Sequence, residues 1–232
     1  MAGRSRPVVI VGDPVLHAAT EPVTEFDEEL ARLIDDMFAT MYVAEGVGLA
    51  ATQIGVSRSV FVYDCHDAED VQHKGHVVNP RIVSTAGPEQ KLEEGCLSVP
   101  GPYATLDRPY QVSVAGQDRH GQPIEVTGTG FLARCLIHET EHLQGILYID
   151  HLNRRKRSRV LADIEPFPWN GPLPTAAATV LRRAQQAGVA RSDIDESDLM
   201  QLVGGMCMAR GTSLPQNERL LCLVLDGIRQ GG

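Results

Sequence analysis

No apolar run in these 232 residues approaches the length of a membrane span. Met1 to Pro7 also lacks the long apolar segment of a secretory signal, so the expected location is the cytoplasm, with no membrane partner. The cysteines (Cys65, Cys96, Cys135, Cys207 and Cys222) are odd in number and show no framework spacing. That excludes a disulfide scaffold and leaves reduced thiols, any of which can serve as a ligand. There is no excess of positive charge either: 21 Lys and Arg stand against 30 Asp and Glu, a formal charge of −9. Nothing global therefore suggests a nucleic-acid partner. The glycine-rich stretch Gly46-Val47-Gly48-Leu49-Ala50-Ala51-Thr52-Gln53 follows a predicted helix and lacks the Lys-Ser/Thr ending of a nucleotide loop.

What is there is a chemistry-bearing pattern at the centre of the chain. Phe131 to Gly145 is a run of good helix formers closed by a glycine, and it holds His138, Glu139 and His142 in the order His-Glu-x-x-His. Residues four apart share a helix face, so both imidazoles can reach one metal ion while Glu139 lies beside the water it would activate. Two His do not complete a site, because a catalytic ion of the zinc type takes three protein ligands and keeps one position open. Cys96, held between Gly95 and Pro100-Gly101, is the candidate for the third.

The rest of the chain organises around this helix. Val8 to Val11 reads as a strand, and Thr24 as the cap of a helix whose stripe is Leu30, Leu33, Ile34, Met37, Phe38 and Met41. Strands are predicted around 59–63, 76–80, 111–114 and 124–127, with a strand-like 146–149 before a helix at about 152–164. His66 and His73 read as exposed loop histidines. From Asn170 onward six Arg balance six acidic residues, whereas all the net negative charge lies earlier. With Pro-Trp-Asn-Gly-Pro-Leu-Pro at 168–174, this marks a boundary: a metallohydrolase domain over 1–169 and an all-α extension over 170–232. The extension reads as helices at about 175–187, capped by Gly188, then 195–209 and 215–229.

Three blocks, Gly-Val-Gly-Leu-Ala-Ala-Thr-Gln at 46–53, Glu-Gly-Cys-Leu-Ser at 94–98 and His-Glu-x-x-His at 138–142, together resemble the signature motifs of peptide deformylases. Gly12-Asp13-Pro14-Val15-Leu16 is similar to that family's N-terminus, and the resemblance covers residues 7–168. It implies an α+β fold, with antiparallel sheets around a central metal-binding helix. It implies removal of the formyl group from N-terminal formylmethionine of nascent polypeptides, releasing formate. By the same resemblance Cys96, His138 and His142 are the metal ligands and Glu139 is the general acid and base. Gln53 and the Leu97 N–H are oxyanion donors, and Gly48 is a backbone partner for the peptide. Val47, Phe131, Arg134 and Cys135 line the methionine pocket, with the Arg134 charge reaching water past its stem. The donor set alone suits Zn²⁺, Fe²⁺, Co²⁺ or Ni²⁺; the resemblance implies Fe²⁺, with Zn²⁺ a less active replacement.

Two positions depart from the family pattern: Glu141 stands where Asp is usual, and Ile137 where Gln is frequent. The extra methylene of Glu141 would shift a supporting carboxylate by about an ångström, and lost support of that kind can cost about 10- to 100-fold. Residues 198–205 and 218–229 resemble the C-terminal end of TetR-like transcriptional regulators, where the last helices form a dimer interface. No helix-turn-helix accompanies them, so DNA binding is not expected; the tail reads either as a homodimer element through these helices or as a gene-fusion remnant with little order of its own. The basic cluster Arg154, Arg155, Lys156, Arg157 and Arg159 is a candidate contact with the ribosome. Two other readings stand beside the deformylase one: a different metal-dependent amidase or peptidase, and a catalytically silent protein with a regulatory or oligomerisation role.

Overall fold

A computed structural model describes residues 3–164, 181–195 and 198. Contacts divide the chain into two compact units, Met1–Glu165 and Pro166–Gly232.

In the first unit the order is α1 (Glu28–Val43), β1 (Gly48–Ala50), β2 (Val60–His66), β3 (Gln72–Cys96), β4 (Val99–Gln117), β5 (Pro123–Thr129), α2 (Gly130–His142) and α3 (Arg154–Ala162). Short 3-10 turns lie at Pro14–His17, Ala51–Ile54 and Tyr148–His151. The five strands form one antiparallel sheet in sequence order, with β1 at one edge and β5 at the other. Four register shifts interrupt the long β3–β4 ladder of this sheet.

Strand β2 shows how the two central helices are seated. Val60 and Val62 pack with Leu30, Leu33, Ile34, Met37 and Met41 of α1, whereas Phe61, Tyr63 and Cys65 pack with Leu132, Cys135 and Leu136 of α2. Side chains alternate between faces along a strand, so a strand covered on both sides needs an unbroken apolar run. Val-Phe-Val-Tyr supplies it. A third cluster joins Val11, Leu16, Val99 and Leu106 to Leu147, Tyr148, Ile149 and Val160.

Some boundaries differ from the expectations. Helix α1 is capped by Asp27, whose carboxylate accepts the Glu29 and Leu30 N–H groups, three residues beyond Thr24. Val8 to Val11 belongs to no strand, and Val11 already lies in a turn: Val9 N–H goes to Gln53 O and Val11 N–H to Ser98 O, both at 2.7 Å. These bonds tie the N-terminal segment to the 3-10 turn at Ala51–Ile54 and to the β3–β4 turn rather than to a sheet edge. Residues 146–149 are not a strand either, because the chain winds into the 3-10 turn, where the Asp150 carboxylate takes the Leu147 N–H at 2.9 Å. His73 is not a free loop histidine: its Nε2 lies 2.7 Å from Asp67 Oδ2.

In the second unit residues 181–186 are helical and Gly188, at φ 70°, closes that helix as expected. Its N–H reaches Gln185 O and Val189 N–H reaches Ala184 O, both at 3.0 Å. The other expected tail helices lie outside the described residues, as do Cys207 and Cys222.

Candidate metal centre

Helix α2 carries two of the three converging side chains. Glycine at position 145 lets it stop sharply after His142: at φ 75° Gly145 donates to His142 O at 3.1 Å, and Ile146 N–H reaches back to Glu141 O at 3.0 Å. His138 and His142, one turn apart, bring their Nε2 atoms to 3.2 Å, and Cys96 Sγ lies 3.2 Å from His142 Nε2. Cys96 arrives from the other side, on the tight β3–β4 connection where it pairs with Val99. The three donor atoms lie within 4.8 Å of one another, and His138 and His142 are buried. Among the described residues no other group of three such side chains converges in this way.

Each donor is aimed by its neighbours. His138 Nδ1 lies 2.8 Å from Glu94 Oε1, which turns Nε2 toward Cys96 and His142. The Cys96 sulfur faces the Ser98 N–H at 3.4 Å and Gln53 Nε2 at 3.6 Å. Gln53 cannot rotate freely, because its Oε1 accepts the Ala50 N–H at 2.8 Å. Burial holds His142 well below the ordinary histidine range, leaving the neutral imidazole that ligates a metal.

Glu139 is 3% exposed, and among the described residues its Oε2 has no hydrogen-bond partner. Burial pushes its carboxyl up to about 7. Strand β1 passes directly over it: a Cβ at Gly48 would overlap Glu139 Oε1 and come 2.9 Å from Cys135 Sγ. Val47 and Phe131 are exposed at this edge, whereas Cys135 is buried, in contact with Cys65 and with Val47 O at 3.6 Å. Leu97 is half-buried and packs with the α1 cluster.

Arg134 requires a correction. Its guanidinium does not reach water: the residue is 2% exposed, and Nη1 donates to Glu94 Oε2 at 2.8 Å. Nη2 donates to Leu106 O at 3.1 Å and Gln90 O at 3.2 Å. Arg134 lies one turn before His138 and faces the same carboxylate, so its charge is neutralised inside the protein.

A network that no sequence motif marks surrounds Glu94. Arg108, 5% exposed, donates through Nε and Nη2 to both Glu94 oxygens at 3.0 and 2.8 Å, and through Nη1 and Nη2 to both Glu141 oxygens at 2.7 and 2.8 Å. Burial opposes the Glu94 charge, but His138 and Arg108 outweigh it and hold this carboxyl far below its usual range. The longer Glu141 is thus accommodated, and Ile137, 5% exposed, joins the α2 core cluster. The available signal was alternation: Leu106 and Arg108 are buried either side of exposed Asp107, so Arg108 occupies an inward position of β4.

Comparison with known proteins follows the same division of the chain. Residues 5–158 match a family model described as polypeptide deformylase, and residues 169–230 match one described as the C-terminal domain of SbtR-like transcriptional regulators. Peptide deformylase 2 of Streptomyces avermitilis is 52% identical over 168 residues, 72% of this chain and 90% of that protein. Peptide deformylase 2 of Streptomyces coelicolor is 51% identical over 168 residues, 72% of this chain and 94% of that one. The crystal structure of a peptide deformylase from Legionella pneumophila superposes with a TM-score of 0.64 at 46% identity, covering 69% of this chain and 93% of its own. A Cys-His-His cluster with both histidines buried, a carboxylate beside it, and relatives that this chain matches over nine tenths of their length converge on one conclusion: the chain belongs to the peptide deformylase family.

Proposed function

We propose that this protein removes the formyl group from N-terminal formylmethionine of nascent polypeptides by hydrolysis. The observation that carries the reading is the convergence of Cys96 Sγ, His138 Nε2 and His142 Nε2 beside the buried Glu139 carboxylate, whose Oε2 has no hydrogen-bond partner among the described residues. A thiol and two imidazoles, one held neutral by burial, fit a divalent ion of borderline softness. Cys96, His138 and His142 would hold it, with Fe²⁺ the native ion in our reading and Zn²⁺, Ni²⁺ or Co²⁺ able to replace it. Such an ion supplies Lewis acidity and an activated water.

The side chains divide the remaining work. Glu139 accepts the proton of the attacking water and returns it to the departing methionine amine, a role suited to a buried carboxylate within reach of the donor cluster. Gln53 Nε2, fixed by the Ala50 N–H on its own oxygen, donates to the developing oxyanion together with the Leu97 N–H. One such donor contributes about 3 kcal/mol. The formylated peptide lies along β1, with the Gly48 main chain as its partner and Val47, Phe131 and Cys135 around the methionine side chain. Arg134 supports this pocket from beneath through Glu94.

The wider assignment follows the sequence: a catalytic domain over 1–169, an extension over 170–232 that forms a homodimer, and a cytoplasmic location. Among the described residues no helix is long and apolar enough to cross a membrane. DNA is not a partner in this reading, and helix α3, with its run of Arg and Lys, faces the ribosome. A silent scaffold is disfavoured by an intact donor set beside an intact Glu139. The test is deformylation of a formyl-Met dipeptide by Fe²⁺-loaded protein purified without oxygen. Turnover should fall about 10²- to 10⁴-fold in Glu139→Ala; an inactive, fully loaded wild type would refute the reading.

A further inference from the structure

We propose that His151 is a positioning residue for the metal ligand His138, acting through Glu141, Arg108 and Glu94. The inference rests on the reading of Cys96, His138 and His142 as a metal site. The chain of contacts is continuous: His151 Nε2 to Glu141 Oε2 at 3.0 Å, both Glu141 oxygens to Arg108 at 2.7 and 2.8 Å, Arg108 to both Glu94 oxygens, and Glu94 Oε1 to His138 Nδ1 at 2.8 Å. His151 is 39% exposed at its side chain, Glu141 15% and Arg108 6%, so the relay runs from the surface to the buried ligand.

The 3-10 turn explains why His151 is available. Residues three apart eclipse in such a turn, so Tyr148 and His151 project to the same side. Tyr148 stacks over the His138 ring with centroids 6.3 Å apart and donates its hydroxyl to Pro102 O at 2.9 Å. Anchoring Tyr148 in this way delivers His151 to Glu141. A strand over 146–149 would have sent successive side chains to opposite faces and broken the arrangement.

Glu141 needs the partner for two reasons. It is the penultimate residue of α2, at the negative end of the helix dipole, where a carboxylate is unfavourable unless cations or N–H donors face it. Its long side chain also has several rotamers to lose on being fixed. His151 Nε2 lies 3.5 Å from Arg108 Nη1 but 3.0 Å from the carboxylate, so its N–H is directed to Glu141. The result is a guanidinium clamped between two carboxylates, each held from its far side.

The test reads metal binding rather than turnover. Full-length protein is loaded with Co²⁺, whose affinity is measured by chelator competition and whose thiolate absorption reports the site. His151→Ala should weaken Co²⁺ binding about threefold to tenfold, less than removal of a direct support would. His151→Gln, which keeps an N–H donor, should recover most of that loss. In a Glu141→Asp background, whose shorter carboxylate cannot bridge Arg108 and His151, adding His151→Ala should change little. Unchanged affinity in His151→Ala, no recovery in His151→Gln, or equal losses in both backgrounds would each overturn the proposal. Wild-type deformylation assayed alongside separates the two readings, since an inactive enzyme with these Co²⁺ affinities would undo the function and leave the relay standing.

Discussion

At Gly48 there is no room for a side chain: a Cβ would overlap the Glu139 carboxylate and crowd Cys135. Gly48→Ala should therefore displace Glu139 while leaving the sheet intact, and a shift of about an ångström at a catalytic group can cost about 10²-fold in kcat/KM. Steady-state kinetics with circular dichroism would check it, and a well-folded, fully active variant would contradict the geometry. A second residue-scale prediction concerns His76, which accepts the Arg119 N–H at 3.0 Å. Burial, reinforced by Arg119, keeps His76 below the ordinary value of 6.5, so as pH falls the unfolded chain binds this proton first. Its contribution to stability is whole above that value and is lost as pH drops toward the folded-state one. His76→Gln keeps an acceptor without the titration, so urea unfolding at pH 7 and pH 5 should show a smaller loss in the variant. At this scale the sequence exposed the donors, because His-Glu-x-x-His and Glu-Gly-Cys are local patterns. It concealed Arg108 and His151, whose partners lie 33 and 10 positions away and depend on strand register and a turn.

Among the elements, α2 was the most legible, since its start, stripe and terminal glycine all lie within one short segment. The glycine is under two constraints, a φ of 75° and backbone contacts: a Cβ at Gly145 would come 2.7 Å from His17 C and 2.8 Å from Ala18 N. Gly145→Ala should destabilise the protein by about 1 to 3 kcal/mol, read as a lower urea midpoint. A neutral substitution would show that the helix end can shift. The segment at 146–149 was misread because four apolar or aromatic residues fit a buried strand and a buried turn equally well. Only Asp150, bonded back to Leu147, decides it. Val8 to Val11 was misread for the opposite reason: it has strand composition, but the Val9 and Val11 N–H groups find carbonyls of turns instead of a neighbouring strand.

On the scale of the whole molecule, the unit over Met1–Glu165 holds the three core clusters described and every donor of the candidate centre. Ligand that binds only the folded state stabilises it, by about 2.7 kcal/mol when free metal is 100-fold above its Kd. Chelation should thus lower the melting temperature by roughly 5 to 10 °C. Calorimetry with and without chelator would measure it, and an unmoved transition would argue against an ion joined to the fold.

Cys96 and His138 stand 42 positions apart, with β4, β5 and the start of α2 between them. An ion shared by both would therefore act as a cross-link and make that stretch a closed ring of chain, a constraint worth on the order of 4 kcal/mol in loop-closure entropy. Opening the ring would require a ligand to exchange, whereas α1 and β1 lie outside it and open at the ordinary rate of local unfolding. Strand β1, which passes over Glu139, would then be the loosely tethered wall of the site, set against a wall that the metal ties shut.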